Sequence, residues 1–152
     1  MARVTYEKHS FGVALQAYLI GKGWTTITYS QGYSSKNAIN PPQFAVTFPP
    51  TRQKKALQLG RGTEVLFQRI LQVDAYMESE ARADAIIDDI MDFIDLTVVS
   101  IVDPSAQFLG TLICQNTEGI LGEALPPIMA NPKIGWWRGV VRAPVEAFYP
   151  NG

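Results

Sequence analysis

Cysteine and histidine each occur once in this 152-residue chain, as Cys114 and His9. A single cysteine rules out an intrachain disulfide, and with it the small secreted scaffolds that rely on disulfides in place of a large core. One histidine and one cysteine cannot supply the ligand sets of the usual zinc sites within one chain. A Ser-His-Asp or Cys-His nucleophile would have to use His9, in the polar segment ahead of the first predicted helix, or Cys114. Cys114 lies in the apolar stretch LGTLICQN, where an inert thiol is expected rather than a reactive one. Charge is also scarce, at 18% of residues, with 13 basic and 14 acidic side chains and a net charge of −1. A dedicated nucleic-acid binder carries a clear basic excess, which this chain lacks. No apolar run approaches the roughly 20 residues of a membrane helix, and the start, MARVTYEKHSFG, has no signal-like apolar core. The expectation is a soluble protein made in the cytoplasm, with no membrane partner. Internal repeats and low-complexity tracts are missing as well.

Hydrophobic residues make up 47% of the chain, enough for one domain with its own core over residues 1–152. A low charge fraction leaves neutral surface to cover, which favours an oligomer. The charges present are unevenly spread. Arg52, Lys54, Lys55 and Arg61 form a basic stretch. Between Asp74 and Asp95 there follow eight acidic residues and one basic residue, Arg82.

Periodicity predicts the elements. Ser10 is placed to cap a helix over Ser10–Lys22, with Val13, Ala14, Ala17, Tyr18 and Gly21 on one stripe and Leu15 and Leu19 broadening it. Gly21 and Gly23 end it. Trp24–Ser30 is β-branched and aromatic and predicts a strand. Residues 31–42 have loop composition. Gln43–Pro50 alternates, with Phe44, Val46 and Phe48 on one face, and predicts a strand closed by Pro49 and Pro50. The basic residues 51–63 are expected as an exposed hairpin-like excursion. Glu64–Met77 gives the strongest strand pattern: its odd positions are apolar apart from Arg69, and its even positions are mixed.

Ser79 then caps a helix to about Ile94. Ala83, Ile86, Ile87, Ile90, Met91 and Ile94 line one face, and Asp84, Asp88, Asp92 and Asp95 line the other, with Asp89 beside them. Acids at the C-terminal end oppose the helix dipole, at a cost of roughly 0.3–1 kcal/mol each. Asp95–Asp103 predicts a strand. Residues 104–133 are expected as a long, apolar loop region in which FLGTLICQ is open to a strand reading. The closing IGWWRGVVRAPVEAFY predicts a long strand with small or apolar odd positions. The fold class expected is α+β: a mostly antiparallel sheet with two main helices packed on one face.

Asp84 and Asp88, with Asp92, share a helix face and in principle suit a hard cation, but oxygen cages for calcium usually come from loops that wrap the ion, and no such loop is seen. The sequence GRGTE has neither the glycine spacing nor the lysine of a phosphate loop. No catalytic, metal or cofactor site is therefore expected. The adjacent Trp136 and Trp137 send one ring to each face of a strand, and an exposed tryptophan suits an interface. The candidate interface residues are Arg52, Lys54, Lys55, Arg61, Asp84, Asp88, Asp92 and Trp136.

The long strand EVLFQRILQVDAYM, a short turn, the acid-rich helix SEARADAIIDDIMDFID, a following strand and the closing WWRGVVRAPVEAFY resemble the tail terminator (tail completion) proteins of long-tailed bacteriophages. That resemblance implies a non-enzymatic virion protein without a cofactor, forming a ring, commonly a hexamer, at the head-proximal end of the tail tube. Such a ring stops tube polymerisation, offers the neck or connector a docking surface at the tail–neck junction, and lets DNA pass through its lumen without sequence-specific binding. The alternatives are another neck or head–tail connector subunit, or a small enzyme or ligand-binding module using the Asp84/Asp88 face.

Overall fold

The computed structural model describes residues 3–30, 41–48, 56–59, 64–96, 98–113, 119–126 and 137–151. In chain order these form α1 (Arg3–Gly21), β1 (Thr28–Ser30), β2 (Gln43–Thr47), β3 (Ala56–Leu59), β4 (Glu64–Met77), α2 (Glu80–Leu96), β5 (Val99–Val102), β6 (Phe108–Ile113), β7 (Leu121–Leu125) and β8 (Trp137–Tyr149). The α+β class expected from periodicity is what the chain adopts: two helices on one face of an eight-stranded, mostly antiparallel sheet.

The two long alternating segments find each other. β4 and β8 pair antiparallel from Val65 opposite Tyr149 to Met77 opposite Trp137. Residues directly opposite share a face, so odd positions of both strands lie on one side. Leu71, Val73, Ala75 and Met77 thereby join Val141, Ala143, Val145 and Ala147 in one buried apolar surface. Each long strand has its outer edge shared by two short ones. β3 covers Glu64–Phe67 of β4 and β2 covers Gln72–Tyr76. β7 covers Arg138–Arg142 of β8 and β6 covers Glu146–Phe148. β1 extends the sheet beyond β2, in parallel, and β5 extends it beyond β6.

Both helices cover the odd face. α2 buries Ala83, Ile86, Ile87, Ile90 and Ile94, as its sequence pattern required, at about 1.5–3 kcal/mol per large side chain. It sits close to the sheet because two strand positions beneath it are glycine. A Cβ at Gly122 would lie 2.5 Å from Ile87 Cγ2, and one at Gly139 would lie 3.0 Å from Ile87 Cγ1. α1 buries Phe11, Leu15 and Leu19 and meets α2 through Phe11 and Phe93, whose rings stand edge to face with centroids 5.4 Å apart.

Several expectations are corrected. α1 begins at Arg3 and not at Ser10, so His9 lies inside the helix. Ser10 is not a cap; its buried Oγ accepts the Val102 N–H of β5 at 3.1 Å. The buried row of α1 runs through Glu7, Phe11, Leu15 and Leu19, four residues apart, whereas Val13 and Ala17 are exposed. A glutamate heads that row, which is why composition masked it. Glu7 has no exposure, yet its carboxylate is fully engaged. Arg69 donates from Nε to Oε1 at 3.0 Å and from Nη2 to Oε2 at 3.3 Å, and the Tyr149 hydroxyl donates to Oε2. Burial raises the Tyr149 pKa, and the bond to Glu7 and its negative charge raise it further. The Arg3 guanidinium closes the cluster over the Phe67 and Tyr149 rings, 4.9 and 5.1 Å from their centroids.

β1 spans three residues rather than the predicted Trp24–Ser30, because the chain turns between Lys22 and Ile27 with Gly23 at φ 105°. Within the hairpin-like excursion expected over 51–63, β3 forms and pairs antiparallel with β4; β7 arises within 104–133, expected as a loop, and FLGTLI forms β6. β7 escapes recognition because Gly122 and Ala124 face α2, where no larger side chain fits at Gly122, and so LGEAL shows no apolar alternation. Of the loop predicted over 31–42, residues 31–40 lie outside the described residues.

Two outcomes follow from α1. Glu7→Ala would leave the Arg69 guanidinium buried without its carboxylate, a loss of about 3–5 kcal/mol. Chemical denaturation should register it, with much of the loss recovered in Glu7→Leu/Arg69→Met. Gly12→Ala should lower the melting temperature, although alanine usually gains about 1 kcal/mol over glycine inside a helix. Its Cβ would come 2.2 Å from the Tyr29 ring, which is held by stacking on Phe44 and by its hydroxyl's bond to the Lys8 carbonyl.

Candidate interaction surface

The outer surface of α2 is the acidic one. Ser79 starts the helix as the sequence indicated, its Oγ accepting the Arg82 N–H at 3.3 Å. Seating Ile86, Ile87 and Ile90 on the sheet turns Asp84, Asp88, Asp92 and Asp95 outward, and all four are exposed. Asp89, on the flank, is half-buried and accepts the Trp24 indole N–H at 2.8 Å. Arg82 stacks on that same indole, 5.0 Å from its centroid, and pairs with Glu78 at 3.2 Å. Half-exposed i,i+4 pairs of this kind contribute little. The last turn of α2 carries no basic residue. Among the described residues, no cation lies within ion-pair distance of Asp84, Asp88, Asp92 or Asp95.

The opposite surface of the molecule is the even-numbered face of the sheet. There β4 carries Gln72 and Asp74, 8% and 5% exposed, and β8 carries Arg138 and Arg142. Four side chains form one chain of hydrogen bonds. Arg138 donates from Nε and Nη2 to Asp74 Oδ1 at 2.9 and 2.6 Å. The Gln72 amide donates to both Asp74 oxygens, at 3.1 and 3.0 Å. The Gln72 carbonyl oxygen then accepts Arg142 Nε at 2.8 Å. A buried carboxylate thus orients the glutamine, and the glutamine orients an exposed guanidinium. Among the described residues, no carboxylate lies within ion-pair distance of Arg142.

Arg138, Val140 and Arg142 form one wall of a shallow groove of about 400 Å³, and Leu121, Glu123 and Leu125 of β7 form the other. Leu121, opposite Arg142, is 67% exposed. The arrangement offers a planar, pre-oriented set of N–H donors next to apolar surface, which suits recognition of a carboxylate on a partly apolar partner.

The sequence candidates divide. Asp84, Asp88 and Asp92 lie together on one exposed face. Arg52, Lys54, Lys55, Arg61 and Trp136 lie outside the described residues, as does Cys114. Trp137 is half-buried and packs against the core on the helix side, as its odd position requires. His9 lines a second shallow groove with Ser10, Val13 and Val98, between α1 and β5. Among the described residues no three His, Cys, Asp or Glu side chains are grouped so that they could hold a metal ion, and no helix is long and apolar enough to cross a membrane. Residue-by-residue reading missed the Gln72–Asp74–Arg138–Arg142 chain. The available signal was that all four are even positions of two strands long enough to pair.

Asp74→Leu should lower stability by about 1–3 kcal/mol in urea denaturation, because Gln72 loses its acceptor, while Arg138, partly exposed, can turn to water. Asp88→Asn, on the free helix face, should stay within about 0.5 kcal/mol of the parent chain.

No protein-family model matches this chain, and a search of curated proteins finds no match either.

Proposed function

We propose that this protein is a structural subunit of a long-tailed bacteriophage, a tail terminator that assembles as a ring on the head-proximal end of the tail tube. In this reading it ends tube polymerisation and presents the neck with a docking surface, and its task is assembly, without catalysis or a cofactor. The reading starts from the resemblance carried by the β4–α2 unit and the closing strand.

The observation that supports it best is the placement of two unlike surfaces on opposite sides of one helix–sheet layer. The acidic row of α2 faces one way, and the arginine-bearing groove of the even sheet face looks the other. Closed rings are built from heterologous contacts, in which one patch of a subunit meets a different patch of the next. Opposite patches of opposite character give such a contact its direction and register.

The test is negative-stain imaging of the purified full chain, alone and mixed with polymerising tail tube protein. Closed rings that cap one end and limit tube length are expected. A strict monomer that neither binds tube nor alters its length would overturn the reading. A ring that leaves tube length unchanged but binds a connector would mark a neck subunit instead.

A further inference from the structure

The groove on the even sheet face has one guanidinium, that of Arg142, that is oriented from beneath by Gln72 and has no carboxylate within ion-pair distance among the described residues. We propose that its occupant is the acidic face of α2 from a second copy of this chain, so that successive subunits stack helix layer onto the β7–β8 groove of the even sheet face. This rests on the ring reading and names the contact that closes it.

Three observations carry it. The first is charge. Arg142 is exposed, held by Gln72, and has no carboxylate within ion-pair distance among the described residues. On α2, Asp84, Asp88 and Asp92 are exposed, with no cation within ion-pair distance among the described residues, and Asp92 approaches the C-terminal end, where the dipole disfavours negative charge. A guanidinium supplied from outside relieves both.

The second is length. Asp84 and Asp92 are eight residues apart on a helix, about 12 Å at 1.5 Å per residue. Arg138 and Arg142 are four residues apart on a strand, about 13 Å at 3.3 Å per residue. A helix laid along β8 therefore sets its two outer aspartates over the two arginines.

The third is the surface between those ends. The outward face of α2 also carries exposed Ala81 and Ala85, small enough for close approach to Leu121 and Leu125. The groove is not uniformly basic. Asp74 lies beneath Arg138, and Glu123 stands on the opposite wall, across from Val140. In the matched register Asp88 falls near Glu123. The central aspartate is thus the one that does not favour the contact, a distinction that general electrostatic attraction would not produce.

The geometry also explains direction. α2 packs over β7 and β8 on the odd face, and Arg138 and Arg142 emerge from the same β8 on the even face. The two surfaces of one subunit cannot meet each other. A neighbour placed head to tail brings them together.

The test is sedimentation velocity and native mass spectrometry of the full chain, with circular dichroism confirming that each variant is folded. Arg142→Glu, Asp84→Arg and Asp92→Arg should each weaken assembly on the order of 30-fold or more. Asp88→Asn should leave it unchanged or tighten it. Combining Arg142→Glu with either Asp84→Arg or Asp92→Arg should restore assembly in one of the two pairings and not in the other, which also reports the direction of the helix in the groove. As a check independent of charge, Ala85→Cys combined with Leu121→Cys or with Leu125→Cys, in a Cys114→Ser background, should give an oxidation ladder of covalent oligomers in the one pairing that matches the direction found by charge reversal. If the parent chain forms rings that Arg142→Glu leaves intact, or if Asp88→Asn weakens them as much as its neighbours do, this contact is wrong and the ring reading stands. If the parent chain is a monomer that ignores tail tube, both fall.

Discussion

The antiparallel ladder between β4 and β8 is the constraint from which the rest follows. Its thirteen residue pairs set the parity of the whole sheet. Strand side chains alternate with a period of two, so a slip of one residue would turn the apolar odd row of one strand toward solvent. With the register as found, one face is Leu71, Val73, Ala75 and Met77 against Val141, Ala143, Val145 and Ala147, and the helices have a surface to cover. The same register gathers Gln72, Asp74, Arg138 and Arg142 on the other face. Core and polar groove are two consequences of one pairing.

Within the core the ladder leaves one discordant residue, Arg69, on the odd face. The chain meets it with Glu7 from α1 and the Tyr149 hydroxyl from β8. A buried ion pair of this kind need not stabilise a fold more than well-packed apolar side chains would, but leaving one partner alone is costly. Its effect here is on orientation. With Glu7 held over Arg69, the helix presents Phe11, Leu15 and Leu19 inward and Val13 outward. Phe11 and Tyr18 then reach Phe93, which fixes where α2 lies beside α1. The seat of α2 is set equally by absence, since a Cβ at Gly122 would collide with Ile87 where it now sits and one at Gly139 would crowd it.

The outer surfaces keep the unresolved charge. α2 runs to its C-terminal end with Asp92 and Asp95 and no basic residue in its last turn, against its own dipole. Across the sheet, Arg142 is positioned by a glutamine that is itself held by a buried aspartate. Both features carry a small cost in the isolated subunit that contact with another molecule would relieve. That is the physical content of reading them as interaction surfaces.

Patterns of short range were legible in the amino-acid order. The alternation of Glu64–Met77 and of the closing strand, the cap at Ser79, and the three- and four-residue spacing of Ile86, Ile87, Ile90 and Ile94 all report local geometry, and each element formed as read. The exposed row Asp84, Asp88, Asp92 was legible for the same reason. What depends on partners distant in the chain was not. Glu7 sits in the core because Arg69 and Tyr149, 62 and 142 residues away, meet it there. Gly122 and Ala124 belong to a strand because α2 presses on it. Gln72 and Asp74 meet Arg142 and Arg138, 70 and 64 residues further on, through the register of a ladder. Periodicity shows which side of a strand a residue takes. The pairing register decides which residue it meets there.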